Sequence, residues 1–537
     1  MGDSLFNLWD QETMKNEKNS FDSIQKFKVS AELIKKWSSL KVGDIDLRNY
    51  LEFEGISLWD VVAAHQAAYI LPELIFWRGH RGRFSQFYQW KIKSYLRHFR
   101  DNLREFKERR SSKKAISPSE DGKIKIIFLS FEPRQVEVFT PVMDLLGNNS
   151  IEIKIIGSKY RPTKNRFFGG NREYLEVEDF FTKEIAKKVK ENRKLLKKRW
   201  QTLQKDQNFK NEFKYQGVSL WNYLKDNFLN LFLHTFPQLI KQTEIANLIS
   251  DVLKPDIIIG ADDCDERARV YFLIGRQKKI PTLHIQYGVA SATAVNWKFM
   301  STDKAAIFDK NTYQVLTKMG LKGENLLIAG NPRFDRLIRK ENTGSEIFRQ
   351  LKINPDYKFV LFASQPNVAD AFLSERFRRE MIASVYHLVN SLKNTYLIVK
   401  PHPDENVKFH YYLKSKIKSD SIILVERDFN IQDLILACDL MMTFHSTTIL
   451  EALIADKPVI CIDFYNKFRF NDYVKKGVAI GVSSKGEIAP AINNVINNEA
   501  IRAKLRLARK NFLQYLPHKG RASEEIANLI FQMIKNV

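Results

Sequence analysis

Cysteine is scarce in this sequence, which has three among 537 residues: Cys264, Cys438 and Cys461. So few and so scattered thiols exclude a disulfide framework and leave no zinc-ligand spacing. Long apolar runs are also missing, since no stretch approaches about 18 uninterrupted apolar residues, and we expect no membrane-spanning helix. The first twenty residues lack a basic start followed by an apolar stretch, so we expect no signal peptide and a cytoplasmic protein.

Acidic residues are outnumbered, with 62 Asp and Glu against 86 Lys and Arg, giving a formal net charge of +24. The excess is concentrated in residues 78–114, with thirteen basic and three acidic residues among aromatics, and in residues 182–205, with ten and two. Such segments bind nucleic acid, anionic lipid headgroups or acidic substrates, or they are solvated helix faces. Because no zinc-finger, RNP or helix-turn-helix pattern is present, nucleic acid is disfavoured. We expect residues 78–114 either to attach the protein to the inner face of an anionic membrane or to hold a polyanionic acceptor directly.

The spacing of apolar residues predicts an α/β protein with three parts. Residues 1–120 have helical periodicity and form a basic N-terminal region. Short β-branched runs then alternate with helical stretches; these are the hallmark of buried parallel strands. The runs are 124–130, 151–157, 255–263, 281–288, 305–309 and 326–330, then 358–366, 395–403, 421–428, 439–446, 458–463 and 478–484. We therefore predict two doubly wound, Rossmann-like domains, 121–338 and 339–537, that face a cleft with ligands at the carboxyl ends of their strands.

Polar residues collect at three strand ends of the second half. They are Gln365, then Lys400 and His402, then His445, Ser446, Thr447 and Thr448. A cationic loop beside a helix N-terminus rich in hydroxyls provides the donors that a phosphate needs. Glu451, one turn into that helix, could accept from ribose hydroxyls. Each feature alone also fits an ordinary helix cap, but three such loops in one sheet favour a nucleotide site.

Two motifs of the second half occur in a known order. K-P-H-P at 400–403 is followed by Ser446-Thr447, Glu451-Ala452 and K-P-V-I at 457–460. This combination resembles the GT-B glycosyltransferases of surface polysaccharides: capsule Kdo transferases, bacterial polysialyltransferases and CDP-glycerol glycerophosphotransferases. Gln365-Pro366 and G-N-P-R-F-D at 330–335 are similar to further signatures of these proteins, and the resemblance covers roughly residues 250–485. It implies a GT-B fold in which His402 and Ser446/Thr447 bind the nucleotide phosphates and Glu451 lies near the ribose.

The first half should supply the base that deprotonates the acceptor hydroxyl. Asp262 and Asp263 end a predicted strand and are the first candidates, although Arg267 and Arg269 could simply pair with them. His284 is a further candidate, or else a buried strand residue. The D-x-D formed by residues 263–265 is too short a signal for a metal site, so we predict no metal and no cofactor besides the nucleotide-sugar donor.

The leading hypothesis is a glycosyltransferase that moves a sugar from a CMP-, CDP- or UDP-linked donor to a growing surface polysaccharide or glycolipid. Glycerophosphate transfer from CDP-glycerol is a close alternative because its motifs occupy the same positions. A UDP-N-acetylhexosamine 2-epimerase of the same fold is another alternative, although the chain has Ser-Thr-Thr where a Gly-Gly pair is expected. Outside this class, a basic RNA- or membrane-binding scaffold remains open.

Overall fold

The computed structural model describes residues 25–72, 100, 104, 107–108, 122–160, 172–288, 294–339, 344–366, 375–390, 392–402, 405–425, 429–444, 446, 448–464, 472–514 and 520–535. Most of the basic segment 78–114 lies outside these residues, and so do His445 and Thr447. Two compact units are present. The first holds the chain up to Pro332 together with the residues from Ser523 onward, and the second extends from Arg333 to Ala522.

The first unit begins with short helices and hairpins. Its elements are α1 (25–38), β1 (Lys41–Val42), β2 (Ile45–Asp46), α2 (Leu47–Tyr50), β3 (Glu52–Phe53), β4 (Ile56–Ser57) and α3 (Leu58–His65), which continues as a π-helical turn (Gln66–Ile70). The hairpin between β3 and β4 turns at Glu54 and Gly55, whose φ angles of 50° and 76° are those of a tight two-residue hairpin. The prediction of a purely helical N-terminal region omits these hairpins.

A seven-stranded parallel sheet forms the centre of the first unit, in the order β13-β12-β11-β10-β5-β6-β7. The elements are β5 (Ile124–Leu129), α4 (Pro133–Leu146), β6 (Ile151–Gly157), β7 (Arg172–Glu176), α5 (Lys183–Leu203), α6 (Gln207–Asn211), β8 (Lys214–Tyr215), β9 (Val218–Ser219), α7 (Trp221–Asn230), α8 (Phe236–Leu253), β10 (Ile257–Gly260), α9 (Glu266–Lys278), β11 (Thr282–Ile285), β12 (Lys304–Ile307), α10 (Lys310–Lys318) and β13 (Leu326–Ile328). A π-helical turn (Leu231–Thr235) joins α7 to α8, and 3-10 turns lie at Val177–Phe180, Val295–Phe299 and Gly323–Asn325. Strands β8 and β9 form a separate hairpin.

Both faces of this sheet are buried, which explains the unbroken apolar runs. In β5, Ile126 and Phe128 pack into one core, whereas Ile127 and Leu129 pack into another. Successive strand residues point to opposite faces, so a strand covered on both sides needs apolar residues at every position. Each apolar run predicted for the first half contains a strand of this sheet.

The second unit contains a six-stranded parallel sheet in the order β16-β15-β14-β17-β18-β19. Its elements are α11 (Pro332–Ile338, which begins at the last residue of the first unit), α12 (Gly344–Leu351), β14 (Lys358–Ala363), α13 (Glu375–Asn390), β15 (Thr395–Lys400), α14 (Lys408–Ile417), β16 (Ile422–Leu424), α15 (Ile431–Ala437), β17 (Leu440–Thr443), α16 (Thr448–Ile454), β18 (Val459–Ile462), α17 (Asp472–Lys475), β19 (Ile480–Val482), α18 (Ile488–Asn497) and α19 (Glu499–Leu513). The last helix, α20 (Ala522–Lys535), begins at the last residue of this unit and otherwise belongs to the first. A 3-10 turn lies at Lys485–Glu487. The sheet again buries both faces, with Phe362 in one core and Phe359 in the other. The prediction of two doubly wound parallel sheets is confirmed.

The C-terminal helix departs from the predicted domain bounds. Residues 339–537 were assigned to one domain, but Ile526 and Ile530 of α20 pack with Ile126 of β5 in the core of the first unit. The chain enters the second unit at Arg333 and leaves it at Ala522. Asp335 Oδ1 accepts a hydrogen bond of 2.9 Å from Ala522 N, so the two crossings of the chain are joined within the second unit. The apolar pattern of 522–535 predicts an amphipathic helix but not which sheet it covers.

Helix α5 contains the second basic segment, 182–205. Its apolar residues Val189, Leu196 and Trp200 are buried, whereas Lys190 and Lys194 are exposed. This segment is thus an amphipathic helix with an exposed basic face, which agrees with the solvated helix face that the sequence offers as one alternative. Among the described residues, no helix has the length and apolarity needed to cross a membrane.

Candidate functional site

Three polar loops of the second unit lie side by side at the carboxyl edge of its sheet. Strands β15, β14 and β17 are neighbours in that order. Gln365 follows β14, Lys400 ends β15 with His402 two residues further, and Ser446 follows β17. Ser364 N donates to Lys400 O at 3.1 Å, which joins the ends of the first two strands. The structure thus brings together the described residues of the predicted nucleotide site.

The Ser/Thr cluster begins helix α16. Ser446 Oγ accepts from Thr448 N at 3.2 Å, and Ser446 O accepts from Ile449 N at 3.1 Å. Ser446 therefore caps this helix, and an ordinary helix cap is the alternative to a phosphate contact that the sequence left open. His445 and Thr447 lie outside the described residues, so their predicted phosphate contacts stay predictions.

A buried carboxylate, that of Glu405, forms a hydrogen bond with the backbone of the K-P-H-P loop. Glu405, whose side chain is 1% exposed, accepts from His402 N at 3.3 Å and from Ser364 Oγ at 2.9 Å. It also forms an ion pair with Arg378 and lies 3.0 Å from His410 Nε2. Because every partner of Glu405 belongs to a different part of the unit, this carboxylate fixes the backbone of His402 relative to β14, α13 and α14.

The charges of this network are balanced. Burial raises the pKa of Glu405, but hydrogen bonds and charges from His410, Ser364 and Arg378 outweigh burial and lower it. Arg378 also pairs with Glu375 at 2.7 Å, and chiefly through this hydrogen bond the pKa of Glu375 falls to about 2. Tyr386 Oη lies 3.0 Å from His410 Nδ1 and completes the hydrogen bonding of that ring.

Glu451 is buried and paired with an arginine. Its side chain is 2% exposed, and Arg333 Nη2 lies 3.0 Å from Oε1 and 3.2 Å from Oε2. Arg333 is itself held by its backbone, since Gln432 Nε2 donates to Arg333 O at 2.9 Å. The ribose-accepting role predicted for Glu451 stays a prediction, and in this structure the carboxylate is buried against a guanidinium. The accessible member of the pair is Arg333, with 24% of its side chain exposed.

At the carboxyl edge of the first sheet, Asp262 is the first candidate base. It follows β10, and its Oδ1 accepts from Cys264 N at 2.9 Å and from Asp265 N at 3.3 Å. Burial, followed by the charge of Asp265, raises the pKa of Asp262 to about 6. A carboxyl group with that pKa can exchange a proton near neutral pH.

Asp263, the second candidate, has a structural geometry. It is buried, accepts from the backbone N–H and hydroxyl of Ser301, and pairs with Arg269 Nη1 at 2.9 Å. Arg269 in turn donates through Nε to Asp60 O at 2.8 Å. The pairing with an arginine that the sequence left open thus applies to Asp263, and this carboxylate links three segments of the first unit.

His284, the reserve candidate, is a core residue. It lies on β11, is 5% exposed, and its ring packs edge-on against Trp297 with centroids 4.6 Å apart. Burial lowers the pKa of His284 to about 4, so the imidazole is neutral. This burial agrees with the interpretation of His284 as a buried strand histidine, and its role as a base stays a prediction.

An unforeseen histidine lies close to Asp262. His65, the last residue of α3, places Nδ1 3.1 Å from Oε1 of Glu266, the first residue of α9. The side chain of His65 is 40% exposed and that of Glu266 is 22% exposed. The ring of Tyr69, 61% exposed, meets the imidazole edge-on at 5.4 Å.

Part of the chain matches a known protein family. Residues 291–532, a little under half of the chain, match the family model of CDP-Glycerol:Poly(glycerophosphate) glycerophosphotransferase. This segment includes the whole polar edge of the second unit. A search of the curated proteins gives no match.

Several solved structures are similar in fold. A structure from Listeria monocytogenes described as a UDP-N-acetylglucosamine 2-epimerase is 13% identical, with a TM-score of 0.51, and the match covers 77% of this chain and 98% of that one. The wall teichoic acid polymerase TagF is 13% identical with a TM-score of 0.49, over 83% of this chain and 98% of that one. MnaA of S. aureus, solved with UDP, is 15% identical with a TM-score of 0.47, over 77% and 98%. The first of these matches, with its TM-score of 0.51, shows the fold alone, because an identity of 13% says nothing about the substrate.

The family match and the fold decide the class. The chain is a transferase enzyme of the GT-B fold. The predictions of the fold and of an enzyme are confirmed, and a nucleotide-linked donor is supported. Of the activities weighed from the sequence, the alternative of glycerophosphate transfer agrees best with the matched family.

Sequence reasoning missed three residues of this transferase. Arg333 had a signal, because it lies in the G-N-P-R-F-D motif, but the motif does not say that its arginine reaches Glu451. Glu405 lies two residues after K-P-H-P, and its place at the end of a strand was visible, but not the contacts that it makes with the loop. His65 had no signal, since 201 positions separate it from Glu266.

Proposed function

We propose that this transferase moves glycerol phosphate from CDP-glycerol to a hydroxyl group of a phosphate-rich surface polymer. The match of residues 291–532 to the glycerophosphotransferase family is the observation that carries the proposal. In this reaction the acceptor oxygen bonds to the phosphorus that bears glycerol, and the bond from that phosphorus to the bridging oxygen breaks. CMP leaves with the electron pair.

The second unit offers the groups that such a donor requires. Lys400 and His402 provide cationic or hydrogen-bonding groups, and Ser446 and Thr448 provide the start of a helix beside them. Positive groups and backbone N–H donors stabilise the charge that builds up on a departing nucleotide phosphate. Arg333, which pairs with Glu451, adds a partly exposed guanidinium group. We assign donor binding to these residues.

The first unit then binds the acceptor. Of the three bases predicted from the sequence, Asp262 is the one that is neither enclosed in the core nor fully occupied by an arginine. Its raised pKa, about 6, suits proton transfer near neutral pH. We assign the acceptor side to the turn that Asp262 begins.

Glycosyl transfer is the second candidate, favoured by Gln365-Pro366, which is similar to the signature of Kdo-transferring enzymes. Gln365 is 9% exposed, and its backbone oxygen accepts from Arg378 Nη1 at 3.3 Å. The leaving group separates many members of this class from the first proposal, because a sugar attached to a nucleoside diphosphate releases the diphosphate, whereas CDP-glycerol releases CMP.

A thermal-shift panel tests the donor. CDP-glycerol, CDP, UDP-N-acetylglucosamine and GDP are compared at equal concentrations, because a ligand that binds only the folded state stabilises it, by about 2.7 kcal/mol at 100 times its Kd. We expect the two cytidine nucleotides to raise the melting temperature most. A rise with UDP-N-acetylglucosamine and none with CDP-glycerol would overturn the proposed donor.

A further inference from the structure

The N-terminal segment reaches the carboxyl edge of the first sheet through helix α3. Arg269 of α9, which is 5% exposed, donates through Nε to Asp60 O of α3 at 2.8 Å and pairs with Asp263. This buried contact fixes α3 beside the turn after β10. The last residue of α3 is His65, and it meets Glu266 at the first position of α9.

The contact with Glu266 determines which nitrogen of His65 can accept a proton. A carboxylate is an acceptor only, so Nδ1, at 3.1 Å from Oε1, carries the hydrogen of the neutral imidazole. The lone pair is then on Nε2. A histidine held in one tautomer by a carboxylate is the arrangement of a general base, in which the carboxylate also stabilises the imidazolium that forms.

Access separates His65 from the other imidazole of this edge. The side chain of His65 is 40% exposed, whereas His284 is 5% exposed and neutral. The neighbouring Tyr69 is 61% exposed and could stack on a polyol or sugar face. Ligands of doubly wound sheets bind at the carboxyl ends of the strands, which is where these side chains lie.

We propose that His65, oriented by Glu266, takes the proton of the acceptor hydroxyl, so that the N-terminal segment completes the acceptor site of this transferase. This inference rests on the proposed transfer reaction. As the acceptor oxygen bonds to phosphorus and CMP departs with its electron pair, the hydroxyl proton moves to Nε2 of His65. Asp262 and Asp265 act through their negative charge on the imidazole.

The charges around His65 give the reaction a pH signature. Burial lowers the pKa of His65, but the hydrogen bond and charge of Glu266, with the charges of Asp265 and Asp262, raise it above 6.5 overall. Tyr69 is the titratable group that faces the ring from its own helix. The base acts unprotonated, so turnover should fall as pH decreases through this raised pKa. Removing the charge of Glu266 should lower the pKa and move the acidic limb to lower pH.

The test compares His65→Gln, Glu266→Gln and Asp262→Asn with the wild type, using a short glycerol-phosphate oligomer as acceptor and whichever nucleotide donor the wild type turns over. His65→Gln should lower kcat about 10²–10⁴-fold with donor affinity, measured by calorimetry, unchanged. Glu266→Gln should shift the acidic limb of kcat/KM down by about one pH unit. His234→Gln removes a half-buried imidazole from the same unit and is the matched control.

Two outcomes would overturn the assignment of His65. One is near-wild-type turnover in His65→Gln together with a large loss in Asp262→Asn, which would make Asp262 the base. The other is loss of donor binding in His65→Gln, because a proton acceptor on the acceptor side should not affect it. A wild type that uses another nucleotide donor but not CDP-glycerol refutes the proposed donor while leaving the comparison of variants valid, and a wild type that turns over no donor refutes both proposals.

Discussion

Arg333 Nη2 donates to Oε2 of Glu451 at 3.2 Å and lies 3.0 Å from Oε1, although 118 positions separate the two residues. One belongs to the G-N-P-R-F-D motif and the other to the helix after the Ser/Thr cluster. These two motifs, which each resemble the same enzyme class, are therefore in direct contact in the folded second unit. Glu451 is 2% exposed, so its charge depends on this arginine.

We expect Arg333→Ala to destabilise the second unit by about 3–5 kcal/mol, because it removes the guanidinium that pairs with a buried carboxylate. Glu451→Gln should cost less, since a neutral amide needs no counter-charge. The double variant should be more stable than the sum of the single changes predicts. Denaturant unfolding of the three variants measures this coupling, and additive changes would show that the pair is not energetically linked.

Glu405→Gln should weaken the second unit in a pH-dependent way. The pKa of Glu405 in the folded protein is lower than its ordinary value, so its ionised form stabilises the protein above the ordinary carboxyl pKa, and this contribution is lost as pH falls through the folded value. At pH 7 we expect a loss somewhat below the about 3–5 kcal/mol of a fully broken buried pair, because Arg378 stays buried with only the partly exposed Glu375 as its counter-charge. The difference between wild type and variant should shrink below about pH 4. A difference that is constant from pH 7 to pH 3 would contradict this origin.

His402→Ala should weaken binding of CDP-glycerol without unfolding the protein. The loss of one phosphate partner costs about 1–3 kcal/mol, or roughly 5- to 150-fold in Kd. The double variant Ser446→Ala/Thr447→Ala should behave alike. His387→Ala, which removes an exposed imidazole from α13 of the same unit, is the matched control for calorimetry. Unchanged affinity in both site variants would remove the donor site from this sheet edge.

Parallel strands were predictable from this sequence, and some of their neighbours were not. Burial on both faces makes an unbroken apolar run, so β5 and β14 were visible. Strand β7, with the sequence REYLE, was missed because an edge strand exposes one side and alternates charged with apolar residues. Each hairpin strand of the N-terminal region has two residues, too short to give any period.

The candidate site was likewise predictable only in part from the sequence. Loops at strand ends could be located from the sequence, because the strand itself fixes where its carboxyl end lies. Partners could not be located: Asp263 and Asp262 are adjacent in sequence, yet an arginine six positions from Asp263 pairs with that residue, whereas Asp262 stays partly exposed and accepts from backbone N–H groups. Burial of Glu451 depends on Arg333, and the pairing of His65 depends on how α3 packs on α9.

Attachment of the protein to a membrane through the basic segment 78–114 stays a prediction. Each Lys or Arg near an anionic bilayer contributes about 1 kcal/mol, so a few residues give reversible attachment. Co-sedimentation with vesicles should require anionic lipid, weaken with salt, and decrease in the variant Arg97→Glu/Arg100→Glu/Lys107→Glu. Arg104 is left out because its guanidinium packs on the Tyr160 ring, 4.1 Å from the centroid. Equal sedimentation of variant and wild type would show that the segment is not a membrane anchor.

The products of a single reaction test the central assignment most directly. The wild type is incubated with CDP-glycerol and a glycerol-phosphate oligomer, with and without a chelator because we predict no metal, and the nucleotide and polymer are analysed. We expect CMP in equal amount to newly added glycerol phosphate, at the same rate in both samples. Release of a nucleoside diphosphate from a sugar donor, with CDP-glycerol left intact, would contradict the assignment.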